Sequence, residues 1–106
     1  MINNLLIVFV SCPAKEADSL AETIVTEKLA ACVNIFPVNS VYIWENKLCK
    51  DDEALLIMKS TQAAYAKLET RIKQLHSYDV PEIIAIKVEA TQADYLNWVH
   101  EQTIKS

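Results

Sequence analysis

Aromatic rings beside charges of both signs stand out in this chain: Tyr42, Trp44, Glu45 and Lys47 lie close together, and Lys59, Tyr78, Glu82 and Trp98 follow. Such residues suit a cleft for a polar-tipped guest, because rings supply area and exclude water while lysine and glutamate orient the guest. Lys59 and Glu82 each close an otherwise apolar stretch. A solitary charge there is expensive, so a structural ion pair is the competing explanation for these two. Trp44 and Trp98 could equally anchor an interface between subunits. Other chemistries lack their parts. Glycine is absent, which removes the P-loop and the dinucleotide fingerprint, since both need backbone without a Cβ close to phosphate. Cys12, Cys32 and Cys49 are odd in number and widely spaced, so neither a disulfide framework nor a structural zinc site is encoded. No nucleophile elbow or nucleophile–base spacing occurs. No catalytic residue is therefore assigned, and general acid–base work by Lys59 or Glu82 would need a displaced pKa and an unnamed substrate.

The 106 residues suit a single domain over 1–106. A net charge of −4 with no Lys/Arg cluster gives nucleic acid no electrostatic footing. The start, Met1-Ile2-Asn3-Asn4, carries no positive charge ahead of an apolar run too short for a bilayer or a secretory signal. A cytoplasmic protein with no membrane contact is expected. Along the chain, a strand over 4–11 leads through Pro13, Glu16 and Asp18 into a helix to about Ala30, with Ala17, Leu20, Ala21, Ile24, Val25 and Leu29 as its apolar stripe. Cys32 to Phe36 and Val38 to Trp44 are strands split by Pro37, which marks an edge, bulge or bend. Asn46 turns the chain at Glu45-Asn46-Lys47 into a returning strand through Leu56 to Lys59. Ser60 or Thr61 caps a helix with the stripe Ala64, Leu68, Ile72 and Leu75. A strand from Glu82 to Val88 follows, then Thr91 and Asp94 open a last helix carrying Tyr95, Trp98 and Val99.

The order βαββαβ plus a helix predicts an α+β, ferredoxin-like sandwich with both crossover helices on one face. Leu5 to Val10, Ala54 to Met58 and Ile83 to Ile86 are apolar at odd and even positions alike. Strand side chains alternate between faces, so both faces of the sheet want to be dry. One layer of helices covers one face. The other is predicted to meet a second copy of the chain.

Five segments follow one another in an order that resembles the CutA family of divalent cation tolerance proteins: Leu29-Ala30-Ala31-Cys32-Val33-Asn34, Tyr42-Ile43-Trp44-Glu45-Asn46-Lys47, Lys59-Ser60-Thr61, His76-Ser77-Tyr78-Asp79-Val80-Pro81-Glu82 and Tyr95-Leu96-Asn97-Trp98. The resemblance spans essentially the whole chain. It implies a homotrimer related in fold and assembly to the PII signalling proteins, a role in the response to metal ions, and copper or another divalent cation as ligand, not required for folding. Copper favours thiolate and imidazole, which makes Cys12 and His76 the metal candidates. Their simpler roles are a small helix-entry residue and a helix-end cation. Two departures bear on the metal: Val10 stands where some members carry the cysteine, and Leu75 where they carry a second histidine. Asn46 and Ser77 also replace the usual glycine and proline. The alternative implied function is a PII-like binding or signalling trimer that recognises a small molecule or protein at an intersubunit cleft. Tyr42, Trp44, Glu45, Lys47, Lys59, Tyr78, Glu82 and Trp98 would form that cleft.

Overall fold

A computed structural model describes residues 3–105. Its elements are β1 (Leu5–Pro13), α1 (Ala17–Thr26), β2 (Cys32–Trp44), β3 (Lys47–Thr61), α2 (Gln62–Leu75), β4 (Ile83–Lys87) and α3 (Ala93–Gln102), with a short 3-10 turn at Ala14–Glu16 before α1. The strands form one antiparallel sheet in the order β2-β3-β1-β4. This is the expected ferredoxin-like arrangement.

β1 and β3 lie in the middle of the sheet, and alternation sends half of their apolar side chains to each face. Leu6, Val8, Val10 and Cys12 of β1 and Ala54, Leu56 and Met58 of β3 pack under Leu20 and Ile24 of α1 and Leu68 and Ile72 of α2. Burying a side chain of that size contributes roughly 1.5–3 kcal/mol. Trimming Leu56 or Ile72 to alanine would cost about 2–5 kcal/mol, because the cavity adds to the lost burial.

The helix ends show where local chemistry overrides periodicity. α1 stops at Thr26, short of the expected Ala30. Leu29 N–H donates to the Ile24 carbonyl and Lys28 N–H to that of Val25, both at 3.0 Å, with Lys28 at φ 61°. These two bonds define a Schellman motif, in which Leu29 is the buried hydrophobic residue beyond the helix rather than part of its stripe. Val25, expected on that stripe, is exposed. α2 starts at Thr61, whose hydroxyl accepts from Ala64 N–H at 3.2 Å. Ser60 instead donates to the Leu29 carbonyl at 2.6 Å. Leu75 is exposed where the stripe predicts burial. α3 is capped by Gln92, whose side-chain oxygen accepts from Tyr95 N–H at 2.6 Å. Thr91, the expected cap, accepts from Asn3 Nδ2 at 3.2 Å.

The second face of the sheet is not left bare throughout. Leu96 and Val99, on one side of α3, pack against Leu5, Ala31 and Val88 and cover that end. The chain then continues to Ile104, which joins the core on the α1 and α2 side and donates its N–H to the Lys28 carbonyl at 2.9 Å. Further along the face Phe36, Ile84 and Ile86 remain 47, 52 and 48% exposed.

β1 stops pairing with β3 at Pro13 and Glu53, whereas β2 and β3 stay paired out to Trp44 and Lys47. The far part of this hairpin, residues 39–52, therefore overhangs the sheet as a two-stranded arm, and the molecule is 47 Å long. Glu45 and Asn46 form its two-residue turn at φ 50° and 64°, the left-handed geometry that matches strand twist. Pro37 does not interrupt β2: pairing runs on through Pro37 and Ala54. It sits on an edge strand, where a missing donor is tolerated.

Candidate functional site

The overhang leaves a hollow on one side of the arm, closed by the loop 76–82 that joins α2 to β4. The cleft encloses about 650 Å³. β1 contributes Ser11, the hairpin contributes Ser40, Val41, Tyr42, Trp44 and Glu53, and the loop contributes Ser77, Tyr78, Asp79, Val80 and Glu82. Strand alternation puts Ser40, Tyr42 and Trp44 on one face. The pairing register sets Asp51 opposite Ser40, and Glu53 between Val38 and Pro13, on that same face.

Three hydroxyls donate to three carboxylates in this region. Tyr42 donates to Asp51 across the arm. Tyr78 donates to Glu53 Oε2 at 2.7 Å, and Ser11 to Glu82 Oε1 at 3.2 Å. Glu53 is only 5% exposed, and a carboxylate so placed needs the phenol's hydrogen bond to offset lost hydration. The bond to Asp51, helped by burial, pushes the Tyr42 phenol up to about 12. Burial first, and then the bond to Glu53, raises that of Tyr78. Both phenols keep their protons through the neutral range, and both direct them into a carboxylate.

His76 follows α2 and is buried. Its backbone N–H donates to the Ile72 carbonyl at 2.8 Å. In the ring, Nδ1 accepts from Tyr78 N–H at 3.1 Å, and Nε2 lies 2.7 Å from the Ser11 carbonyl oxygen. A carbonyl can only accept, so these partners assign the proton to Nε2. The ring also meets that of Tyr78, centroids 4.9 Å apart and tilted by 48°. Ser11 thus holds both ends of the loop: its carbonyl takes His76 and its hydroxyl takes Glu82.

Cys12 lies in β1 rather than at a helix entry, and its side chain is fully buried in the core beneath the helices. Burial, and then the charges of Glu16 and Glu53, push its thiol up to about 11. Copper needs the thiolate. Both imidazole nitrogens of His76 already have partners, and among the described residues no three His, Cys, Asp or Glu side chains gather where they could hold an ion.

Of the predicted cleft residues, Tyr42, Trp44, Tyr78 and Glu82 come together within one chain. Glu45 lies in the turn at the tip of the arm and Lys47 begins β3 beside it. Lys59 donates to Asn34 Oδ1 and faces Ile7 of β1, whereas Glu82 meets Ser11. The ion pair considered for Lys59 and Glu82 is therefore not formed. Trp98 stacks with Tyr95 on α3, centroids 5.6 Å apart, at the Leu5 end of the sheet and far from Trp44. Sequence reasoning missed Ser11, Ser40, Glu53 and Asp79. For two of them a signal was present. Ser11 extends the row Leu5, Ile7, Phe9, and Glu53 precedes Leu55 and Ile57 in theirs, each being a polar residue on an apolar face.

A split-βαβ sandwich with both crossover helices on one face is the fold this chain shares with solved CutA1 structures. The chain belongs to the CutA1 divalent ion tolerance protein family, whose profile matches residues 6–102. The divalent-cation tolerance protein CutA of Thermus thermophilus is 42% identical over 99 residues, covering 92% of this chain and 96% of the relative. The chloroplastic protein CutA 1 of Oryza sativa is 45% identical over 103 residues, and there the match spans 95% of this chain but 58% of the longer relative. Among solved structures, the PII-like protein CutA from Nostoc sp. PCC 7120, in apo form, superposes with a TM-score of 0.91 at 32% identity, covering 95% of this chain and 99% of that one.

Proposed function

We propose that this divalent-cation tolerance protein is a non-catalytic binding protein of the cytoplasm, assembled as a homotrimer, whose cleft between the arm and the loop 76–82 takes a small ligand. The cleft itself carries the reading. Its volume lies within the range of small-ligand sites, and it combines three aromatic rings with polar side chains already fixed by hydrogen bonds. Assembly is supported by the half-covered second face and by Val41, Ile43 and Leu48 on the arm, all 63–65% exposed, more apolar surface than a solitary protomer of this size should show water. The number three is what the family resemblance implies. Lys59 and Trp98, remote from the cleft within one chain, could reach a cleft only from a neighbouring copy. Sedimentation at micromolar concentration is expected to give a trimer, and a thermal-shift screen of small molecules should find stabilisers whose effect is lost in Trp44→Ala. Folded single chains, or no stabiliser in any chemical class, would overturn the reading.

Copper binding at Cys12 and His76 is a second reading, favoured by one observation: the imidazole rests on the carbonyl of Ser11, the residue before Cys12. It requires His76 to give up a hydrogen bond and the buried thiol to lose its proton. Titration with Cu(I) and Cu(II) against wild type and a Cys12→Ala, His76→Ala variant tests it. Binding no tighter than about millimolar (roughly 4 kcal/mol), or binding unchanged in the variant, removes the site.

A further inference from the structure

The hydrogen-bonded hydroxyls of the cleft share one sense. The hydroxyl hydrogens of Tyr42, Tyr78 and Ser11 are all donated into carboxylates, to Asp51, Glu53 and Glu82 respectively. A hydroxyl whose hydrogen is spent offers only lone pairs, and an ionised carboxylate only accepts. Asp79 adds a further carboxylate, and among the described residues no Lys, Arg or His lines the cavity. The hollow therefore presents mainly acceptors to a guest, its donors being the hydroxyls of Ser40 and Ser77 and the indole N–H of Trp44.

From this polarity, together with the three rings, we infer that the cleft binds a small organic cation, an ammonium or guanidinium ion carried on an apolar or aromatic body. The inference rests on the reading of this cleft as the ligand site. An ammonium brings three donors and a guanidinium five, which meets the acceptor excess directly. Their charge is attracted to the faces of Trp44, Tyr42 and Tyr78 as well as to the carboxylates. A phosphate-bearing nucleotide would face these carboxylates with no cationic side chain of the same chain to receive it, and only Lys59 of a neighbouring copy could offset them. A bare metal ion would want several oxygens converging at short range. The described residues gather no such group, and metal coordination makes no use of the rings.

The test compares tryptammonium, the cation of tryptamine at neutral pH, with tryptophol, which keeps the indole and ethyl chain but ends in a hydroxyl. Calorimetric titration of the assembled full-length protein should show saturable tryptammonium binding that weakens as salt rises, with tryptophol at least about tenfold weaker. The Asp79→Asn, Glu82→Gln variant, altered only at exposed positions, should keep its fold by circular dichroism and lose about tenfold in tryptammonium affinity. Equal binding of tryptophol, or tighter binding of ATP, lost in Trp44→Ala, would overturn the inference and leave the cleft as a ligand site. Displacement of tryptammonium by stoichiometric MgCl2 or CuCl2, with metal affinity lost in the carboxylate variant, would also overturn it in favour of an ion site. Absence of saturable binding by every probe would overturn both the inference and the cleft reading.

Discussion

Ser11 is a small residue with a large organising role, because one side chain and one carbonyl fasten the start and the finish of the loop that walls the cleft. Beside it in sequence, Cys12 faces the opposite way and is shut into the core. Its folded-state pKa of about 11 stands above the ordinary 9.0, so folding favours the neutral thiol. The associated stability is complete below pH 9 and is lost as pH rises through 11. Urea unfolding at pH 8 and pH 10.5 should therefore show the advantage of wild type over Cys12→Ala narrowing at the higher pH. An unchanged gap would mean that the thiolate is accommodated in the core. A thiol reagent at pH 8 should label the half-buried Cys32 and Cys49 well before Cys12. At this scale the sequence revealed residue types but not partners. Tyr42, Trp44, Tyr78 and Glu82 could be picked out by chemistry, whereas Glu53 gains its place only from strand register, which sets it opposite Pro13 and within reach of Tyr78.

Elements of this chain end by means that a glycine-free sequence makes unusual. Among the described residues, Lys28, Glu45 and Asn46 take positive φ with a side chain in place. For Lys28, the C′ residue of the α1 Schellman motif, the left-handed conformation costs roughly 1–2 kcal/mol, part of which glycine would return as extra freedom in the unfolded chain. Lys28→Gly should thus stabilise the fold by about 0.5–1 kcal/mol, seen as a higher urea midpoint at constant slope. A loss of stability would show that the lysine stem contributes more than the strain it imposes. Thr61→Ala should cost about 1 kcal/mol through loss of the α2 cap. The existence and order of the elements could be read from periodicity and from Asn46 and Thr61, whereas Pro37 suggested a break that the edge position of β2 makes unnecessary. Their limits could not, since the end of α1 depends on where Leu29 finds cover, a tertiary fact.

At the scale of the whole molecule, the runs that are apolar on both sides foretold a sheet with more dry surface than its two crossover helices can serve. The share taken by α3 was not foreseeable, because Leu96 and Val99 give a helix an apolar side without saying which face of the sheet it will meet. Ile84→Lys places a charge on the stretch that α3 leaves open. If copies of the chain associate there, this substitution should shift sedimentation from trimer to monomer with little loss of secondary structure. A monomeric wild type would show that the face tolerates water after all. The long hairpin has a different consequence, for the path by which the chain reaches this form. Its pairs grow outward from Trp44 and Lys47, neighbours across a two-residue turn, to Cys32 and Lys59, so each new rung closes only a slightly larger loop. The β1 and β4 pairing must join Leu6 to Lys87, nearly the two extremities of the polypeptide. Zippering of the arm is thus expected to be early and fast and docking of β4 to follow the rate-limiting step, so substitutions in β4 should accelerate unfolding while barely touching the rate of folding.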